Sequence, residues 1–384
     1  LGVVGFFKLT HVLTGNEVLA VIAAWFFIWS PELFYYSINA LPDILALTFS
    51  LWGLYWFLKF LSQNDNSYLI LSWLALILAG ATKLQYLAVG GAMLLGLLLQ
   101  FRHLSAKQIV IIGLCGISIL TITGSWYLYA EHLTQASGLN DFGLAIKEFP
   151  SAEEALVILR SIFQVKIPET LMGYAATIAF IIGVVSALRK SAWKKQGSII
   201  LSGWSAVLLL YFILELGQFK YHSYYMIPFI PPLCIAGGYG ALQVYNSRFK
   251  WVYLALIVAS PILTGFRIVP GLLKKPNVPA GLYDESKCTD LQNHIPENAL
   301  VVAGNDPTSG VYLYYLRAKG WAFSHFKPLN QVDEKTGKNL IKNYINNGAS
   351  ILITDTPIEL LGIDEYTESL VYTAHAFWIY SLQV

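Results

Sequence analysis

Charge is what this sequence has least of: Asp, Glu, Lys and Arg together make up 12% of its 384 residues, against roughly 25% in a soluble globular domain. The net charge of +2 gives no basis for a nucleic-acid partner. Cysteine is scarce as well, with three in all. Cys115 and Cys234 lie inside apolar runs and read as small buried hydrophobes. Cys288 is alone in the polar C-terminal part, so no disulfide framework can be drawn. There is no phosphate-cradling Gly-rich loop, no HExxH and no G-x-S-x-G, and the missing nucleotide motif argues against an ATP-driven transporter. The first residue is Leu1 rather than Met. LGVVGFFKLTHVLT (1–14) is too short to cross a bilayer alone. It has neither a charged n-region nor a small-residue cleavage site, which excludes a signal peptide. The expectation is that the chain begins inside a helix, with further sequence upstream.

Apolar residues are abundant instead, at 56%, with 11 Trp, 23 Tyr and 21 Phe of the kind that gathers at membrane–water interfaces. Apolar runs cover 1–14, 18–37, 41–61, 68–83, 85–101, 108–130, 169–189, 197–216, 223–246 and 251–269, most near the ~20 residues a spanning helix needs. About ten spans are therefore expected, with a tight re-entry at Gly80 and Lys83. Clustered Lys and Arg fall in RHLSAK (102–107), RKSAWKK (189–195) and SRFK (247–250), which places these connections in the cytoplasm. Counting spans from any one of them puts the other two on the same side. The opposite face then receives the LPD turn at 41–43, Lys83, the loop 131–168, GQFKYHSYY (217–225), the Pro-rich exit after Val269 and everything beyond it. In a bacterium this means an inner (plasma) membrane protein with a periplasmic C-terminal domain.

From Pro270 onward the sequence turns polar. ALVVAG (299–304) and ASILITD (349–355) read as buried strands, 335–347 and 283–295 as helices, and 368–384 as a strand pair. Helices alternating with short strands predict a small α/β domain, so the division expected is a membrane domain over 1–269 and a soluble domain over 270–384.

Ionisable groups at span ends carry the functional information, because charge near hydrocarbon is costly and tends to be paired or used. Asp43 opens a span just after Pro42; it fits either a helix cap or a carboxylate facing an outer cavity. Lys83 fits a snorkelling lysine, or a cation set at headgroup depth for a lipid-linked phosphate, with Gln85 and Tyr86 as nearby hydrogen-bonding groups. Lys220, His222, Tyr224 and Tyr225 crowd the mouth of another span. An interfacial aromatic girdle accounts for the tyrosines but not for the Lys and His beside them, and cations among phenols suit a phosphate. His222 could ligate a metal, yet no second ligand stands at a recognisable spacing; no cofactor is established and a divalent metal is left open. Glu32 and Glu215 are further carboxylates at span ends, Glu32 facing the same expected cavity. Asp306, in the turn GNDP (304–307), reads as a turn residue.

The order of SPELFYYSINALPD (30–43), LAGATKLQY (78–86), GSWYLYAEHL (124–133) and KYHSYYMIPFIPP (220–232) resembles the polytopic glycosyltransferases of the dolichyl-phosphate-mannose–protein mannosyltransferase superfamily, which includes bacterial members that add aminoarabinose to lipid A. IPENALVVAGNDPTSGVYLYYLRAKGW (295–321) is similar to the periplasmic domain of bacterial members. The motifs are short, but they run in order along nearly the whole chain. The resemblance implies a GT-C transmembrane bundle, a polyprenyl-phosphate-linked sugar donor, a lipid, protein or glycan acceptor, and inverting transfer on the periplasmic face. It implies an accessory catalytic role for Asp43 and donor-phosphate contacts from Lys83, Lys220, His222, Tyr224 and Tyr225. The family's principal catalytic acid lies in a loop that would precede Leu1, so on this resemblance the chain as it stands would lack its general base and be inactive. Two other classes compete. A lipid-linked sugar flippase or other carrier should place charges near the bilayer midplane and show internal repeats; here the charges cluster at one face and no repeat appears. A noncatalytic assembly subunit is the third class.

Overall fold

The computed structural model describes residues 1–39, 41–136, 149–273, 282, 284–304, 306, 310–322, 334–358 and 363–383. The chain divides into two compact units, one of Leu1–Tyr127 with Ala145–Leu273, the other of Leu128–Leu144 with Lys274–Val384.

The first unit is helical. Its helices are α1 (Gly2–Thr14), α2 (Glu17–Ile28), α3 (Pro31–Ser37), α4 (Asp43–Gln63), α5 (Asn66–Thr82), α6 (Gly90–Gln100), α7 (Ala106–Ala136, of which the part from Leu128 on belongs to the second unit), α8 (Ala152–Ser161), α9 (Tyr174–Arg189), α10 (Gln196–Leu214), α11 (Ile230–Tyr245) and α12 (Lys250–Leu273). Polar side chains set several starts. Asn16 caps α2 by accepting the Leu19 N–H at 2.9 Å, and Ser30 with Pro31 opens α3. Helices α4 and α11 lie innermost; α4 packs on α1 and α5, and α11 on α2 and α9. Two crossings depend on absent side chains. A Cβ on Gly91 or Gly203 would strike the other's carbonyl where α6 meets α10, and one on Gly183 or Gly240 would strike a carbonyl of the facing helix where α9 meets α11. Large apolar side chains point outward along the rim, Val110, Leu114, Ile117 and Leu120 of α7 among them. Water would not tolerate so extended an apolar surface, whereas lipid does. The protein is a multi-pass membrane protein.

Among the described residues, six helical segments are long and apolar enough to cross a membrane, or eight if two bent pairs each count as one span. Helices α1 and α5 are shorter apolar helices. The ten expected runs thus correspond to helical segments, but fewer are full-length spans. The pair α2–α3 bends by 63° at the Ser30–Pro31 break, and α8 with the π-helical turn Ile162–Leu171 meets α9 at 116°, where Gly173 takes φ 76°. The connection expected to be a loop over 131–168 is therefore helical at both ends, since α7 continues to Ala136 and α8 begins at Ala152; its residues 137–148 lie outside the described residues. The predicted re-entry at Lys83 is a change of helix type: α5 stops at Thr82 and a 3-10 segment, Leu84–Val89, leads into α6.

The second unit contains α13 (Glu285–Gln292), β1 (Leu300–Gly304), α14 (Val311–Tyr315), β2 (Lys319–Ala322), α15 (Glu334–Asn346), β3 (Ala349–Thr354), β4 (Thr367–Ala374) and β5 (Phe377–Leu382). The sheet runs β2-β1-β3-β5-β4, with β1 parallel to β2 and β3, and β5 antiparallel to β3 and β4. Both faces are buried. Val302 and Leu352 pack with Trp321, Ile341 and Tyr344 on one side, while Val301, Ala303, Ile351 and Ile353 pack with Leu291 and Tyr312 on the other. That accounts for the uninterrupted apolar runs in β1 and β3. Strand β2 had no such run and was not expected. The helix read over 283–295 is shorter, Glu285–Gln292. Asp306 is buried and accepts the Tyr312 N–H at 3.1 Å; its neighbours in GNDP, Asn305 and Pro307, lie outside the described residues, as does much of the Pro-rich exit.

Candidate functional site

Asp43 is the first residue of α4, but its side chain does not cap the helix. Its carboxylate is 0% exposed and accepts from Lys83 Nζ at 2.8 Å on each oxygen, and Oδ1 also accepts the Tyr86 hydroxyl at 2.9 Å. Lys83 can reach inward because the helix ends beneath it. It sits in extended conformation between α5 and the 3-10 segment, and its side chain is 19% exposed, so it does not snorkel. Tyr86 is held by the Ser50 hydroxyl of α4, which donates to its carbonyl at 2.8 Å. The Tyr127 hydroxyl accepts the Leu84 N–H at 2.9 Å and fixes the start of the segment.

The aromatic rings come from a second 3-10 stretch, Ser223–Phe229, which precedes α11 and contains Pro228. Lys83 Nζ lies 4.4 Å from the Tyr224 ring centroid and 5.0 Å from that of Tyr225, within the range of cation–π attraction. His222 packs against both rings at 5.2 and 5.6 Å. Tyr36 of α3 meets the Tyr224 ring edge-on at 5.8 Å and shares a hydrogen bond with the Ser223 hydroxyl at 3.1 Å. The Tyr211 hydroxyl donates to the Tyr225 carbonyl at 3.1 Å.

The structure therefore brings together Asp43, Lys83, Tyr86, His222, Tyr224 and Tyr225 from three separate stretches of sequence. Lys220 is turned elsewhere: it pairs with Glu154 of α8 at 3.3 Å, with both side chains well exposed. Glu32 is 7% exposed. Ser223 and Lys166 are its polar neighbours, and its Oε1 is buried without a hydrogen-bond partner, as is Gln85 Nε2. Sequence reasoning did not single out Tyr36, Ser223, Tyr127, Tyr211 or Lys166. Tyr36, Ser223 and Tyr127 stand inside the quoted motifs, where that signal was available; nothing local marks Tyr211 or Lys166. Among the described residues, no three His, Cys, Asp or Glu side chains gather as a metal ion would require.

Lysine has three N–H donors, and Asp43 takes no more than two of them. A cation so fixed, with one donor to spare beneath phenol rings, is equipped to meet an anionic oxygen. Such a polar cluster stands at the ends of spans of a helical membrane unit that precedes a small α/β unit in sequence. The chain is similar in fold to ArnT from Cupriavidus metallidurans, a likeness that gives it the GT-C fold. The apo structure of that protein is matched with TM-score 0.57 at 12% identity, covering 99% of this chain and 81% of that one. Its structure bound to undecaprenyl phosphate is matched with TM-score 0.56 at 13% identity, covering 99% and 82%. No protein-family model matches the chain, and no curated protein matches its sequence.

Proposed function

We propose that the protein is a glycosyltransferase that moves a sugar from a polyprenyl-phosphate donor to an acceptor hydroxyl or amine at the periplasmic face of a bacterial inner membrane. The observation that carries this reading is Lys83, which is held by Asp43 and overlaid by Tyr224 and Tyr225. A solved structure of the same fold holds undecaprenyl phosphate, which supports a lipid phosphate as the anion that Lys83 meets. The acceptor attacks the anomeric carbon from the side opposite the phosphate, the C–O bond to phosphate breaks, and the lipid phosphate leaves with the electron pair. Lys83 neutralises the charge that develops on it. Asp43, saturated by Lys83 and Tyr86, positions the cation. The acceptor's proton needs a carboxylate with a free oxygen, and Glu32 has one.

The test is transfer from a radiolabelled polyprenyl-phosphate sugar in membranes containing the protein. Replacing both members of the buried pair, as Lys83→Met with Asp43→Leu, should abolish transfer and undecaprenyl-phosphate binding while the protein stays folded. A folded double variant that transfers sugar at the parent rate would overturn the assignment.

A further inference from the structure

A second polar feature of the helical unit lies outside the Asp43 cluster. A cavity of about 270 Å³ opens where the α2–α3 break meets the start of α9 and the second half of α12; Trp29, Pro31, Glu169, Gly173, Tyr174 and Arg267 line it. Arg267 pairs with Glu169 at 2.8 Å, and the Tyr174 hydroxyl donates to the other Glu169 oxygen at 2.8 Å. Arg267 is 53% exposed and, with five donors, keeps several free. Trp29 also lines the cavity, but its indole Nε1 is fully buried, so Arg267 is the group that offers charged donors to a ligand there. Beside the cavity α9 begins at Tyr174, after Gly173 and without a side-chain cap. On the lipid-facing side, Phe266 is 76% and Ile262 61% exposed.

We propose that this cavity binds the headgroup of a zwitterionic phospholipid that carries a phosphate and a primary ammonium, as in phosphatidylethanolamine. The phosphate accepts from the spare Arg267 donors, the ammonium donates to Glu169, and the acyl chains lie along Phe266 and Ile262. The side-by-side cation and anion select the ligand class. A purely anionic headgroup leaves Glu169 opposed by negative charge, and a trimethylammonium has no N–H to give it. Nothing in this assignment depends on sugar transfer.

Native mass spectrometry of the purified protein, titrated with phosphatidylethanolamine, phosphatidylcholine and phosphatidylglycerol of identical chains, tests it. The ethanolamine lipid should bind about ten-fold more tightly than the other two, as one charge-assisted hydrogen bond allows. Glu169→Gln should erase its advantage over the choline lipid. Arg267→Gln, which removes the charged donors to the phosphate, should weaken ethanolamine and choline lipids alike. Equal binding of all three, preference for phosphatidylglycerol, or an unchanged preference in folded Glu169→Gln would overturn the proposal. Chain-free glycerophosphoethanolamine should compete at least ten-fold less well; competition as strong as the lipid's would overturn the lipid assignment.

Discussion

Asp43 stands where a helix would accept a cap, yet both its oxygens are spent on a lysine forty residues away. A buried pair of this kind adds little net stability, but removing one partner strands the other charge and is destabilising by about 3–5 kcal/mol. Asp43→Asn should therefore lower the unfolding temperature in detergent clearly, while the joint Asp43→Leu, Lys83→Met variant should recover most of the loss. A single variant as stable as the parent would mean that the pair is not formed. Glu32 answers to a different measurement. If its unpartnered oxygen takes the acceptor's proton, Glu32→Gln should lower kcat by about 10²–10⁴-fold with undecaprenyl-phosphate binding unchanged; loss of binding in step with activity would make it a structural residue instead. The sequence exposed Asp43, Lys83, Tyr224 and Tyr225 because charge and phenols are conspicuous at the ends of apolar runs. It could not show that Lys220, two residues before His222, faces Glu154, since that depends on where α8 lies. Ser223 and Tyr36 stand inside motifs that mark the cluster, but neither side chain is unusual in its local context, so only the fold picks them out within those motifs.

At the level of elements, legibility followed hydrophobic pattern. Strands β1 and β3 were plain because both faces are buried, whereas β2, with the sequence KGWA, carries one large apolar residue and has no readable period. The β4–β5 hairpin was visible as a strand pair, but its turn was not. His375 and Ala376 both take positive φ, 58° and 66°, a two-residue turn normally signalled by Asn-Gly. What helps hold His375 there is Asp290 of α13, which accepts from its Nε2 at 2.9 Å and from the Tyr372 hydroxyl at 2.7 Å. The Tyr372 hydrogen bond, followed by His375, lowers the Asp290 pKa below its ordinary carboxylate value. A depressed carboxyl contributes stability above its unfolded value, near ~3.9, and loses it as pH falls through the folded value. Amide exchange in β4 and β5 should therefore quicken, beyond the intrinsic change, between about pH 5 and about pH 3. Asp290→Asn should remove that extra change; a pH response identical in the variant would assign it to another group.

For the molecule as a whole, the same pattern that makes spans legible also makes orientation arguable. Arg102 follows α6, Arg189 closes α9 and Arg248 follows α11. From the first basic segment the chain leaves through α7 and returns through α9; from the second it leaves through α10 and returns through α11. Each pair of basic segments is thus separated by an even number of crossings, and all three can obey the positive-inside bias together. On the proposed topology α12 leaves once more, which puts the C-terminal unit on the other side of the membrane, and α4 and α5 bring Asp43 and Lys83 to that side too. A transferase that uses a lipid-borne sugar needs this agreement, because its phosphate-binding cation and its polar C-terminal unit must share a compartment. Alkaline phosphatase fused after Gln383 in a bacterial host should be active, and the same reporter placed after Lys195 should be silent, with a fluorescent-protein fusion giving the reverse at both sites. Activity at Lys195, or silence after Gln383, would put the cluster on the cytoplasmic side, where a lipid-phosphate donor would no longer explain why Lys83 is held as it is.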